Sequence, residues 1–413
     1  MEGQKRNTRF HEETVRLFAM LSEITNKRTG VSKEFEPEPC KNWQELLQLA
    51  QNQGVLPLLY DTLEQEEALP EPIWKICRLE ATAMVRKNYH MLFYARRLMK
   101  QLEEGGVNSV LLKGMTIAVE YPVPELRKSG DIDLLLTEPK DLKSAEDILK
   151  RAGLQVYEEQ HANHHLVFLS EDGKMLVELH TMLAEAFDDD RINKYLGELI
   201  RECREQCEIK SLIGVKCRVL KPGFQAYQLL LHMLHHFLRA GFGLKLLCDW
   251  VCFWNSEVPE EEKKIFLRLI KECGIEGFAA MVTAACKQYL GMGQEVLTEL
   301  QLPKEEEVEE FLLDILEGGE YGETTQGRMV VLKGNKLWDY VREFHHQMHI
   351  NFPRAGKVFL LWPILWTITL FRFLNNNRKL NRGSGMAILQ SAGKRSRLIK
   401  DMHLFDAEEV HET

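Results

Sequence analysis

The chain has 413 residues, 45% hydrophobic and 28% charged, with a formal net charge of −9 and nine cysteines. That length allows two or three domains, or one core with large additions, and the acidic balance carries no nucleic-acid signature over the whole molecule. The cysteines form no CxxC pair and no repeating framework, and the N-terminus shows no signal-peptide pattern, so the expectation is reduced thiols in a cytoplasmic protein.

In chain order, residues 1–30 read as helical, with Val15, Phe18, Leu21 and Ile24 at helical spacing. Residues 31–39, charged and carrying two prolines, read as a connector. Asn42 and Glu45 fit a capping box, Trp43, Leu46, Leu47 and Ala50 form one face, and Gly54 stops the helix. Residues 55–66 are expected to be its antiparallel helical partner. A long helix comes next, from about Pro72 to Glu104, with Met91, Ala95, Leu98 and Leu102 on one stripe and Gly105-Gly106 at its end. This first region, 1–106, carries no chemistry of its own and is expected to be a helical layer packed on the neighbouring domain.

The pattern changes over 107–220. Val107–Leu112 reads as a strand, Met115–Tyr121 as a short helix broken at Tyr121-Pro122, and Asp131–Leu136 as a second strand. A helix opens at Pro139, and strands are expected at 154–157, 166–169 and 175–181, the last two joined by the turn Glu171-Asp172-Gly173. Two more fall at 208–212 and 215–219 around Ile213-Gly214. Hairpins among crossovers predict a mixed sheet, so the fold class is α+β, a small mixed-sheet core flanked by N-terminal and C-terminal helical regions. Over 221–317, Phe224, Tyr227, Leu231, Leu234 and Leu238 mark a helix, with others at 243–255, 259–273, 275–291 and 304–317. The i, i+4 pairs Cys203/Cys207 and Cys248/Cys252 lack the further ligands a zinc site needs.

The last region, 318–413, starts with a glycine-rich acidic loop without P-loop spacing, and helix is expected to resume at 337–347 and after Pro353. No Asp or Glu occurs between Phe344 and Lys400, while ten Lys and Arg do. Inside that stretch VFLLWPILWTITLF, residues 358–371, is shorter than the roughly 17 apolar residues a spanning helix needs. It reads either as a core helix with a basic rim or as a Trp-bearing segment lying on an anionic membrane surface through 354–400.

The chemistry concentrates in VLLKGMTIAVEYPVPELRKSGDIDLLL, residues 110–136. Side chains alternate across a strand, so Asp131 and Asp133 point the same way, and two desolvated carboxylates side by side call for a cation. The alternative is a strand end with both acids in solvent. Glu178, between Val177 and Leu179 in a later strand, is the candidate third acid, and His180 shares its face. Lys113 stands at a strand-to-helix turn where Gly114 permits close backbone approach, Thr116 adds a hydroxyl, and Arg127 can clamp phosphate oxygens. His180, with His232 and His236 at i, i+4 on a helix and with Arg239 and Asp249, is a candidate for an acceptor pocket; His161, His164 and His165 are assigned no role.

LLKG, then YP, then Arg127, then DIDLLL, then VELH resemble the nucleotidyltransferase superfamily of the DNA polymerase β type, nearest to its bacterial group of uncharacterised nucleotidyltransferases. Asp131, Asp133 and Glu178 match the superfamily's three acids; Gly114-Met115 departs from its Gly-Ser turn, and the interval from Gly114 to Asp131 is long. The resemblance implies two Mg2+ ions, or Mn2+, held by the three acids, with Lys113, Gly114, Thr116 and Arg127 binding the nucleotide. It implies transfer of an NMP from an NTP to a hydroxyl acceptor with release of pyrophosphate, without nucleic acid as partner. The alternative function is a non-catalytic nucleotide-binding or membrane-peripheral protein on the same fold.

Overall fold

The computed structural model describes residues 9–27, 40–64, 66, 69–157, 165–187, 189–239, 241–320, 359–369 and 397–405, with 345, 348, 352 and 395 singly. His161, His164, most of the glycine-rich loop, nearly all of 337–347, and most of the basic stretch 354–400 lie outside them.

Helix α1 (Glu12–Asn26) and α2 (Trp43–Asn52) come first, and Asn42 Oδ1 accepts the backbone N–H of Glu45 at 3.2 Å, so the expected N-cap forms, while Glu45 Oε2 accepts from the Asn42 side-chain amide at 3.1 Å in place of its backbone N–H. The expected partner helix over 55–66 is instead a 3₁₀ turn, Leu56–Leu59, running into the single turn α3 (Tyr60–Leu63). Pro57 sits in the first turn, where its missing N–H costs no intrahelical bond. Helix α4 (Glu71–Glu104) has its apolar stripe buried and stops at Gly105.

The sheet comes next: β1 (Ser109–Leu112), α5 (Gly114–Ala118), β2 (Ile132–Leu136), α6 (Leu142–Arg151, entered through a 3₁₀ turn at Pro139–Asp141), β3 (Leu154–Val156), β4 (His165–Ser170) and β5 (Leu176–His180). Helix α7 (Asp190–Cys203) precedes the hairpin β6 (Cys207–Leu212) and β7 (Val215–Leu220). Sequence reading passed over α7, although Ile192, Leu196, Leu199, Ile200 and Cys203 carry its buried face and Asp189 caps it. The seven strands lie in the order β3-β4-β5-β2-β1-β7-β6. Pairs β2/β5 and β1/β7 are parallel and the rest antiparallel, so the sheet is mixed.

Five helices follow the sheet: α8 (Pro222–Leu238), α9 (Leu244–Trp254), α10 (Glu260–Cys273), α11 (Glu276–Tyr289) and α12 (Glu305–Gly318). Gly274, at φ +67°, closes α10 in the left-handed conformation glycine tolerates. Central strands β1 and β2 are buried throughout, and their residues divide by parity. Leu111, Ile132, Leu134 and Leu136 pack in one cluster with α4 and α6, whereas Val110, Leu112 and Leu135 join a larger cluster with α1, α7, α8, α9 and α11. Asp133 shares the parity of Leu135, so the acids face the side covered by the later helices.

Of the apolar C-terminal segment 358–371, residues 359–369 are described. A 3₁₀ turn at Phe359–Leu361 leads into helix over 362–369, where Leu365 and Thr369 are buried and Phe359, Leu361, Ile364 and Ile368 are exposed. Among the described residues no helix is long and apolar enough to cross a membrane. Arg395, counted with the basic stretch, is instead buried, lies over the Phe237 ring and pairs with Asp314 at 3.3 Å. All nine cysteines are free thiols.

Candidate active site

Parallel pairing of β2 with β5 sets Asp133 directly opposite Glu178, and antiparallel pairing with β1 sets Leu112, the residue before Lys113, opposite Asp133. Three separate stretches thereby converge at the middle of the sheet. Lys113 Nζ donates to Asp133 Oδ1 at 2.6 Å and lies 3.9 Å from Glu178 Oε2. His180 Nε2 is 2.8 Å from that same Asp133 oxygen and 3.3 Å from Glu178 Oε2. Asp133 is 1% exposed and His180 3%. Asp131, just before β2 and half-buried, shares their field.

The electrostatics arise from crowding charges out of water. The Asp133 charge, then burial, pushes the Asp131 carboxyl above its ordinary range, against the pull of Lys113 and Lys245. Burial would raise Glu178 too, but His180 and Lys113 outweigh it and hold it low. Burial lowers the Lys113 pKa, and Asp133, Glu178 and Asp131 more than reverse that. His180 is opposed by burial and by Lys113, yet its bonds to Asp133 and Glu178 raise it.

Lys113 itself has φ 52° and ψ −129°, a region side-chain-bearing residues rarely occupy. Such a conformation costs about 1–3 kcal/mol and persists only where its surroundings over-determine it. Here the Lys113 carbonyl accepts from Thr116 N at 2.9 Å, Thr116 Oγ1 at 2.8 Å and Ile117 N at 3.2 Å. The strained residue aims its ammonium at the acids.

Donor atoms of Asp133, Glu178 and His180 all lie within 4.8 Å of one another, so one cation can meet all three. Two carboxylate oxygens and an imidazole nitrogen fit a divalent ion, the nitrogen suiting Mn2+ somewhat better than Mg2+.

The family model of the uncharacterised nucleotidyltransferases matches residues 39–291, more than half of the chain and all of this site. The chain belongs to that family. This nucleotidyltransferase also has a structural likeness to an antigenic nucleotidyltransferase-like protein from Paracoccidioides brasiliensis, at 14% identity and a TM-score of 0.29, covering 44% of this chain and 88% of that one. No curated protein matches.

Not every residue expected at the nucleotidyltransferase site faces it with a free group. Arg127 is 4% exposed, and each of its three nitrogens already donates to a protein oxygen. Nε and Nη2 grip Asp249 at 2.7 and 2.6 Å, and Nη1 reaches the Lys128 carbonyl at 3.0 Å. Asp249, fully buried, also accepts from Tyr121 Oη at 2.7 Å. The expected phosphate clamp and the expected acceptor-pocket acid are thus partners in a buried brace. Gly114 has its use against that brace: a Cβ there would lie 2.9 Å from Arg127 Nη1. Thr116 is turned inward, accepting from Gln225 Nε2 at 3.0 Å. His180, expected in the acceptor pocket, belongs to the acid cluster.

His232 and His236 stack edge to face, centroids 4.5 Å apart, within electrostatic reach of Lys113 and Lys245. Burial first, then the neighbouring positive charges, lowers both; His236 falls to about 4, so each is a neutral wall beside the acids at neutral pH. Arg239 lies 4.0 Å from Glu185, which His235 holds at 2.9 Å.

Proposed function

We propose that this nucleotidyltransferase moves an NMP from an NTP to a hydroxyl acceptor, releasing pyrophosphate, with Asp131, Asp133 and Glu178 as the acids of the reaction. The observation that carries the reading is the direct cross-strand pairing of Asp133 with Glu178, buried and shared by Lys113 and His180. Nothing in packing calls for two carboxylates there, and the family supplies the reaction class.

Asp133, Glu178 and His180 would hold a divalent ion, with Asp131 beside them as a ligand for a second. A bound divalent ion would supply charge neutralisation at the phosphates and a lower pKa for the acceptor hydroxyl. The chain's own residues orient and exclude. Lys113, held by the three bonds to its carbonyl, places a fixed positive charge among the acids, where a phosphate oxygen could take it over. Glu178, kept ionised, would receive a proton if the acceptor hydroxyl approached from its side. Neutral His232 and His236 would line the approach without competing for phosphate.

The test is incubation with each of the four α-labelled NTPs in Mg2+ or Mn2+, reading pyrophosphate release and label transfer to the chain or to a small-molecule extract. Loss of both in Asp133→Asn and Glu178→Gln, with unchanged melting, is expected. Equal turnover in wild type and Asp133→Asn rejects the site.

A second, compatible reading rests on the exposed Phe359, Leu361, Ile364 and Ile368 beside the basic stretch: peripheral contact with an anionic membrane. Phe359→Ser/Ile364→Ser should reduce flotation with anionic vesicles, and equal flotation removes that face as the contact.

A further inference from the structure

Beyond the acid cluster lies a second charged group built from four elements. Lys128, three residues before Asp131, and Lys245, in the first turn of α9, both bind the carboxylate of Glu320, just past α12; Lys245 Nζ is 2.9 Å from Glu320 Oε1. That carboxylate side chain is 4% exposed. It lies against Gly54, where a Cβ would meet it at 2.6 Å, in a backbone at φ +71° that itself favours glycine. The frame around it is fixed by Gln53, fully buried, which donates to the Leu316 carbonyl at 2.9 Å and accepts from Leu244 N at 3.1 Å, while its own carbonyl takes the N–H of Lys245 at 3.3 Å. One glutamine therefore ties the ends of α2 and α12 to the start of α9 and positions Lys245.

The charges in this group do not balance. Lys87, half-buried on α4, makes no ion pair with a described residue; burial pushes its ammonium below the usual lysine range, with Asp131 and Glu320 pulling the other way and Lys128 and Lys245 adding to the fall. Three lysines thus converge on one glutamate and on the Asp131 end of the acid cluster, in a chain whose net charge is −9. Three partly buried lysines against Glu320 and Asp131 leave one positive charge in excess, and such a surplus beside a carboxylate favours an anion of higher charge than the carboxylate provides.

We propose that Lys128 and Lys245, with Lys87 behind them, receive the β- and γ-phosphates of the nucleotide donor, and that Glu320 occupies that receptor until the donor displaces it. This rests on the reading of the acid cluster as the place of transfer: Lys128 lies three residues from Asp131, so a triphosphate with its α-phosphorus at the acids can run its tail toward the lysines. It also assigns tail binding to side chains other than Arg127, whose nitrogens are already engaged.

The probe is inorganic tripolyphosphate without divalent metal, titrated calorimetrically into the full chain. Glu320→Gln keeps the shape and removes the rival charge, so it should tighten binding about tenfold. Lys128→Gln or Lys245→Gln in that background should lose the gain, and Lys245→Arg should retain most of it. A nucleoside monophosphate, lacking the tail, should not respond to Glu320→Gln. If Glu320→Gln misfolds by its melting curve, Glu320→Ala removes the same charge and makes the same comparison. No tightening, lysine variants that bind as well as their parent, or an equal response from the monophosphate each overturn the proposal. The expected lysine and glutamate pattern without any NTP turnover would sink the transfer reading alone, and turnover without that pattern would sink the receptor alone.

Discussion

Replacing Asp249 by Ala tests the brace beneath the site. Arg127 and Asp249 are 4% and 0% exposed at their side chains, joined by two bonds of 2.6 and 2.7 Å, with Tyr121 Oη on the same carboxylate. The Arg127 guanidinium is charged: burial lowers its pKa and Asp249 more than reverses that. Removing the carboxylate leaves a buried cation without its counter-charge, worth about 3–5 kcal/mol. The orphaned Tyr121 hydroxyl adds up to about 1–3 kcal/mol, less whatever relaxation recovers. A loss of about 4 kcal/mol is a large share of the roughly 5–15 kcal/mol that holds a domain together. Trp250, the next residue and fully buried, reports directly on this region, so urea unfolding followed by tryptophan fluorescence is the assay. At a denaturant slope of about 3 kcal/mol per molar, the midpoint should fall by about 1.3 M. The double variant Arg127→Met/Asp249→Leu, which removes both charges, should be more stable than Asp249→Ala. A shift under about 0.3 M for Asp249→Ala, or a double variant that costs the sum of the two singles, refutes the buried-pair account.

The same geometry yields two more expected outcomes. Gly114→Ala should cost about 1–3 kcal/mol by urea midpoint, because its Cβ would press on an Arg127 that cannot swing away; in the Asp249→Ala background the same change should cost clearly less, and an equal cost rejects the steric reason. His236 titrates near its ordinary 6.5 when unfolded and at about 4 when folded. Between those values the unfolded chain holds a proton that the folded chain does not, so this residue's contribution is lost as pH falls from 6.5 toward 4, by up to about 3 kcal/mol. His236→Gln should flatten that part of the stability profile relative to wild type, and superimposable profiles dismiss the buried neutral histidine.

Most elements and the three acids were legible in the order of residues alone. Apolar alternation and the Glu171-Asp172-Gly173 turn located the strands, helical periodicity and the Asn42 cap located most helices, and the isolated acids Asp131, Asp133 and Glu178 stood out because an apolar strand rarely hides a charge. These are local signals, carried by spacing of about two or three and a half residues. The helix at Asp190–Cys203 was equally local and was overlooked, and the helix expected over 55–66 is a 3₁₀ turn at Leu56–Leu59 and a single helical turn. Pairing between distant residues was settled by the three-dimensional arrangement. That Arg127 would face Asp249, 122 residues away, and not a phosphate, that His180 would join the acids, and that Lys128 and Lys245 would meet at Glu320 depends on register and helix packing. Charge chemistry acts over a few ångströms in space, and a side chain's partner is chosen by the fold that brings it there.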